Sequence, residues 1–155
     1  GTFAGSSARL LGLTWGAEDL SAELGAQTNR DAEGRFLDPY RLARALCLVG
    51  ASAAQVPAFD TVYVDFRNND GFRRECEEAL RDGFIGKMAI HPAQVPIINE
   101  VFTPSAEAIA RAKAVVDAFA ASPGAGVINI GGVMFDQPHL TRARQMLART
   151  VATKR

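Results

Sequence analysis

The sequence predicts an α/β fold built on a parallel sheet, and three observations carry that reading. Short apolar runs with strand character stand at residues 10–15, 61–66 and 87–90. Amphipathic segments with helical spacing follow at least the last two, which is the rhythm of βα units. The first and third runs are apolar on both faces, as strands are when helices cover a parallel sheet on each side.

Each segment has local reasons. After the first run comes a polar, glycine-containing stretch, residues 25–34, and then Asp38-Pro39, the pattern of an N-cap followed by proline in the first helical position. Leu42, Leu46, Val49 and Ala53 continue at helical spacing. Asp70 is placed to cap a second helix whose Phe72, Cys76 and Leu80 share a face, and Asp82-Gly83 ends it. Thr103-Pro104 opens a third, striped by Ile109, Ala112, Val116 and Phe119. Past the Ser122-Pro123-Gly124 break, residues 127–130 read as a strand and Gly131-Gly132 as a turn. A last helix starts near Gln137-Pro138 with Leu140, Ala143 and Leu147 inward.

Composition narrows the partners. The 155 residues carry 17 basic and 17 acidic side chains, so no basic field draws in nucleic acid or anionic lipid. A small molecule or another protein fits better. Cys47 and Cys76 are two cysteines without metal-ligand spacing, which argues against a disulfide framework or a structural zinc site. No apolar run approaches the ~18 residues that span a bilayer, and a cytoplasmic location is expected. Three βα units are far fewer than the eight of a closed barrel, which needs roughly 250 residues. Either the sheet is small and open, or part of the protein lies elsewhere.

Three segments carry candidate chemistry. In Trp15-Gly16-Ala17-Glu18-Asp19-Leu20, two adjacent carboxylates follow a strand, where α/β folds place functional loops. Mg²⁺ favours one or two protein carboxylates completed by water and substrate oxygens, so Asp19 is a candidate ligand. The alternative is that Asp19 caps a helix running through Leu24. In Gly83-Phe84-Ile85-Gly86-Lys87-Met88-Ala89-Ile90-His91-Pro92, a strand runs into a His-Pro turn. His91 either binds a ligand or moves protons, or it closes the turn by a hydrogen bond to the backbone. In Gly132-Val133-Met134-Phe135-Asp136-Gln137-Pro138-His139, Asp136 taken alone is a helix cap ahead of proline.

Together these segments resemble the aldolase/citrate lyase superfamily, and within it the citrate lyase β-subunit-like enzymes. Residues 15–20 are similar to the family's FGxEDL loop, with Trp15 in place of Phe. Asp60-Thr61-Val62-Tyr63, residues 83–94 and residues 99–105 resemble its DTVY and GFxGKxxIHPxQ…NExFxPS signatures. Residues 132–139 resemble GxMxDxPH, in an order that covers essentially the whole chain.

The resemblance implies a fold: the C-terminal part of a TIM (β/α)₈ barrel, strands six to eight, over residues 1–102. Residues 103–155 would form a C-terminal extension, a lid swapped onto a neighbouring subunit. It implies an Mg²⁺-dependent carbon–carbon lyase acting on a 3-hydroxyacyl-CoA or a related 2-oxo-acid adduct. Asp19 would be a metal ligand and Asp136 the acid/base, with His91 and Pro92 lining the CoA channel. The metal-binding Glu and substrate-binding Arg of the family would lie in a missing N-terminal half of the barrel. The implied partners are a 2-oxo acid, an acyl-CoA, that N-terminal half, and further copies in a homo-oligomer, a trimer or hexamer. Val133 stands where many members carry Lys. The rival reading is a non-catalytic partner supplying the lid and one metal ligand to another chain. An independent small binding module fits less well, because three strands leave an open apolar edge.

Overall fold

The computed structural model describes residues 3–152. They fall into two compact units that divide between Phe102 and Thr103, each described by itself below.

The first unit runs β1 (Leu13–Thr14), α1 (Ala17–Glu23), α2 (Asp38–Ala53), β2 (Ala58–Asp60), α3 (Asn69–Asp82), β3 (Gly86–Lys87) and α4 (Gln94–Phe102). The three strands are parallel in the order β1-β2-β3, with Thr14 opposite Phe59 and Phe59 opposite Gly86. Two glycines make room for the Phe59 ring. A Cβ on Gly12 would meet it at 3.0 Å and one on Gly86 at 2.9 Å, so larger residues there would push the ring out of its slot. Trp15, Ala17, Tyr40, Ala51, Ala58, Ala79 and Phe84 form the buried core, with Leu13, Leu20, Phe36, Leu48 and Phe102 packed around them.

The parallel sheet agrees with the sequence, while several elements differ in detail. The second strand is Ala58–Asp60 and not residues 61–66. The alternation after Thr61 imitates a strand, yet the Thr61 hydroxyl accepts the Ala17 N–H (3.1 Å) and Phe66 N–H turns back to the Val64 carbonyl (2.9 Å). α3 is capped by Asn68, whose side chain accepts the Gly71 N–H, and Asp70 lies inside the first turn. Gly83 ends that helix in the left-handed conformation (φ 116°), as Asp82-Gly83 predicts. α2 begins at Asp38 after Leu37, without a side-chain cap. Its buried residues are Tyr40, Arg44 and Ala51, leaving Leu42, Leu46 and Val49 exposed. α4 has no counterpart in the sequence reading.

The second unit is α5 (Ala106–Ala121), β4 (Val127–Ile130), β5 (Val133–Asp136) and α6 (Gln137–Ala152). Ser105 caps α5 by accepting the Ala108 N–H at 3.1 Å. β4 and β5 form an antiparallel hairpin that the sequence foreshadowed only in its first strand. Gly131 and Gly132 both take positive φ (60° and 85°), the requirement of the tight turn whose twist matches two paired strands. Ala112, Val115, Phe119, Leu140 and Ala143 are its core. Among the described residues, no helix is long and apolar enough to cross a membrane.

Candidate active site

Asp19 lies in the first turn of α1, just past the C-terminal end of β1. It is not the helix cap, since that position belongs to Gly16 and no side-chain capping bond forms. Its carboxylate folds back over Gly16, where a Cβ would sit 2.4 Å from Asp19 Oδ2. Only glycine at position 16 leaves the carboxylate where it is. Among the described residues, the Asp19 carboxylate has no hydrogen-bond or ion-pair partner, whereas neighbouring Glu18 accepts from Asn29 Nδ2 at 2.7 Å. Of the two adjacent acids, Asp19 is therefore the one left open to a cation. Among the described residues, no group of three or more His, Cys, Asp or Glu side chains could hold a metal. The donor set fits Mg²⁺ in kind, one hard oxygen donor, and requires water, substrate or another chain for the remaining positions.

His91 and Pro92 follow β3, so they share the end of the parallel sheet at which Asp19 lies. Both are exposed. His91 Nδ1 accepts the Ala93 N–H at 3.2 Å, closing the turn, and its ring stacks on Phe66 with centroids 4.5 Å apart. The turn itself is held by Gln94, which is fully buried. Gln94 Oε1 accepts the backbone N–H groups of Ile90 (2.9 Å) and His91 (3.3 Å), and its Nε2 donates to the Tyr63 carbonyl (2.9 Å). The sequence offered Gln94 only as a motif letter. Its spacing of three from His91 is the signal that a side chain reaches back to cap a turn.

Beneath the loops runs an ionic network that the sequence did not reveal. Asp60, wholly buried, accepts from Trp15 Nε1 (2.8 Å), Arg44 Nε (3.1 Å) and Lys87 Nζ (3.2 Å). Lys87 also donates to Glu75 (2.7 Å), which accepts from Arg30 (2.7 and 3.2 Å). Arg44 continues to Asp82. Burial alone would raise the Asp60 pKa, but the charges of Lys87 and Arg44 and the Trp15 hydrogen bond outweigh it and hold the carboxyl below its ordinary value. This network ties β2, β3, α2 and α3 together. Cys76, buried beside it, has its thiol pushed up to about 11 by burial and is no nucleophile at neutral pH.

Asp136 belongs to the second unit, at the junction of β5 and α6. Its Oδ1 accepts the His139 backbone N–H at 3.3 Å, the bond of a helix cap, and also touches His139 Nδ1. The His139 ring packs edge-on against Phe135, centroids 5.4 Å apart. The hydrogen bond from His139 lowers the Asp136 pKa below the ordinary carboxyl value. His139 was passed over in the sequence, although its spacing from Asp136 is that of a reciprocal capping pair.

Comparison with known proteins places these segments in context. Residues 3–92 match the HpcH/HpaI aldolase/citrate lyase family. The chain is 38% identical over 139 residues to a citrate lyase subunit beta-like protein of Mycobacterium tuberculosis, covering 90% of this chain and 50% of that protein. It is 37% identical over 143 residues to the mitochondrial citramalyl-CoA lyase of Rattus norvegicus, covering 91% and 40%. The crystal structure of M. tuberculosis CitE in complex with magnesium, acetoacetate and coenzyme A superposes with a TM-score of 0.73 at 37% identity, covering 90% of this chain and 51% of that one. The chain thus spans about half the length of the relatives it matches. By sequence and by fold, it belongs to the HpcH/HpaI aldolase/citrate lyase family.

Proposed function

We propose that this chain is the C-terminal half of an Mg²⁺-dependent carbon–carbon lyase that cleaves or forms a 3-hydroxyacyl-CoA or a related 2-oxo-acid adduct. The observation that carries the reading is the Asp19 carboxylate, without a partner among the described residues and folded over Gly16 at the C-terminal end of β1. Relatives named as lyases, and one solved with magnesium and coenzyme A, support it. On this reading, residues 1–102 are the last three βα units of a TIM barrel, and a metal-binding Glu and substrate-binding Arg come from the N-terminal half. A bound Mg²⁺ supplies Lewis-acid stabilisation to the oxygen of the 2-oxo acid on which charge builds.

The remaining work falls to this chain's own side chains. Asp19 fixes one coordination position. His91 and Pro92, on an exposed turn pinned by Gln94, contact the CoA moiety. Asp136, delivered by residues 103–155 to the site of a neighbouring subunit in a homo-oligomer, moves the proton at the α-carbon of the acyl fragment. Its lowered pKa makes it a carboxylate at neutral pH, ready to remove that proton in the condensation direction. In cleavage it must first take up a proton.

The test is complementation in the enzyme assembled with its N-terminal half. Asp136→Asn keeps the cap but not the proton, and turnover should fall ~10²- to 10⁴-fold with little change in substrate affinity. Asp19→Ala should abolish metal-dependent turnover. Mixed oligomers of these two variants should regain part of the activity, because one subunit's Asp19 can meet another's Asp136. Normal turnover by Asp136→Asn would reduce the residue to a helix cap. A second reading, a non-catalytic partner supplying lid and one ligand to another chain, is favoured by the absence of a three-ligand cluster among the described residues. Magnesium-dependent turnover by this chain's own full-length assembly would exclude it.

A further inference from the structure

We propose that His139 is a positioning and proton-relay residue for Asp136, held as its Nδ1–H tautomer with Nε2 left open for proton exchange. The relay half of this inference rests on the acid/base reading of Asp136 above; the tautomer half stands by itself.

The geometry poses a choice. His139 Nδ1 touches Asp136 Oδ1 and also lies 3.3 Å from the Asp136 backbone N–H. Were Nδ1 unprotonated, it would accept the backbone N–H and set its lone pair against the carboxylate oxygen. With the proton on Nδ1, the ring donates to the carboxylate, a charge-assisted bond and the stronger of the two. The cap then closes on both sides: Oδ1 accepts from the His139 backbone N–H and from the His139 ring. Phe135 fixes the ring plane edge-on. Nε2 makes no hydrogen bond among the described residues, and both side chains are close to half exposed (40% and 48%). The pair is thus reachable from outside while its inner bond is fixed.

This arrangement answers the difficulty raised by a carboxylate that must be protonated before cleavage. In that direction the Asp136 O–H bond breaks as a C–H bond forms on the departing acyl α-carbon. The carboxylate left behind takes the Nδ1 proton of His139 as Nε2 takes one from a hydronium ion of the solvent, which leaves the imidazole as its Nε2–H tautomer and a molecule of water. Relaxation of the imidazole through solvent restores Nδ1–H. One proton passes from solvent to carbon, the proton of the substrate hydroxyl returns to solvent as that oxygen becomes a carbonyl, and nothing is oxidised or reduced.

The chain contains two histidines, so the test is direct. Nitrogen-15 NMR of the full chain at alkaline pH should show the Nδ1–H pattern for His139 and the Nε2–H pattern for His91, whose Nδ1 accepts the Ala93 N–H. Asp136→Ala should return His139 to the Nε2–H form that free histidine favours, with helix content and the His91 signals unchanged. An Nε2–H pattern for His139 in the native chain overturns the tautomer, as does indifference to Asp136→Ala. For the relay, His139→Asn and His139→Ala are compared in the assembled enzyme. Asparagine restores an N–H toward Oδ1 and carries no proton, so kcat should drop at least about tenfold with KM held. Added imidazole should partly rescue His139→Ala. If Asp136→Asn is inactive while both His139 variants keep the native kcat and pH profile, His139 only caps the helix and the relay is refuted. If Asp136→Asn turns over normally, the acid/base reading fails and takes the relay with it, while the NMR result stands.

Discussion

Asp60 is the most consequential single position in the first unit, and Asp60→Ala is the sharpest test of how that unit is held together. The substitution removes the acceptor of three donors, Trp15 Nε1, Arg44 Nε and Lys87 Nζ, from a site with no solvent access. Losing one partner of a buried ion pair costs about 3–5 kcal/mol, because the opposite charge stays buried and uncompensated. Here Lys87 keeps Glu75 and Arg44 keeps Asp82, so the lower end of that range applies. A loss near 3 kcal/mol is a large share of the ~5–15 kcal/mol that stabilises a typical domain. Urea unfolding followed by circular dichroism, on the chain in whatever assembly it purifies, measures it. Sign matters for pH. Because the folded Asp60 carboxyl lies below its ordinary value, its contribution is full above the unfolded carboxylate pKa and is lost as pH falls through the folded one. Asp60→Asn should therefore flatten the acid limb of the stability curve and leave the neutral-to-alkaline limb unchanged in shape. A stability for Asp60→Ala within about 0.5 kcal/mol of native, the ordinary range for surface changes, would refute the network as a structural keystone.

Three further outcomes follow from the geometry. Gly16→Ala places a Cβ 2.4 Å from Asp19 Oδ2 and pushes the carboxylate aside, so the assembled enzyme should bind Mg²⁺ more weakly by titration calorimetry while its unfolding midpoint moves little. Asn68→Ala removes a capping bond and should cost about 0.5–2 kcal/mol, whereas Asp70→Ala, which removes no cap, should cost distinctly less in the same denaturation assay. Gln94→Ala strips two backbone N–H groups and a carbonyl of their partner; about 1–3 kcal/mol is expected. Amide exchange at Ile90 and His91 should rise in that variant, and unchanged protection there would mean that the turn holds without Gln94.

The elements legible in the sequence are those whose signals are local. Asp82-Gly83 ends α3 because a residue in the left-handed region must follow its last turn, and Gly131-Gly132 folds the hairpin because its turn needs two positive φ values. Apolar spacing found α2 and missed its buried face. Leu42, Leu46 and Val49 form the more obvious stripe, but Arg44 is drawn inward by Asp60, a partner 16 residues away. The second strand lies upstream of its sequence signal for a related reason. Residues 61–66 alternate like a strand, and what stops the ladder at Asp60 is the Thr61 hydroxyl turning to the Ala17 N–H, 44 residues distant. For the candidate site, resemblance pointed to Asp19, His91, Pro92 and Asp136 one segment at a time. The residues that hold them, Gly16, Gln94 and His139, lie close by in sequence, but their roles appear only when side chains take positions.

The burial of Lys87 turns the protein into its own reporter. The sequence has three lysines; the Lys87 side chain is wholly enclosed, while Lys113 is exposed on α5. An amine-reactive label will therefore mark Lys113 at once and reach Lys87 only when β3 and its covering helices part. The ratio of the two adducts in a mass spectrum becomes a clock for opening of the first unit, read without a fluorophore, an added probe site or any assay of activity.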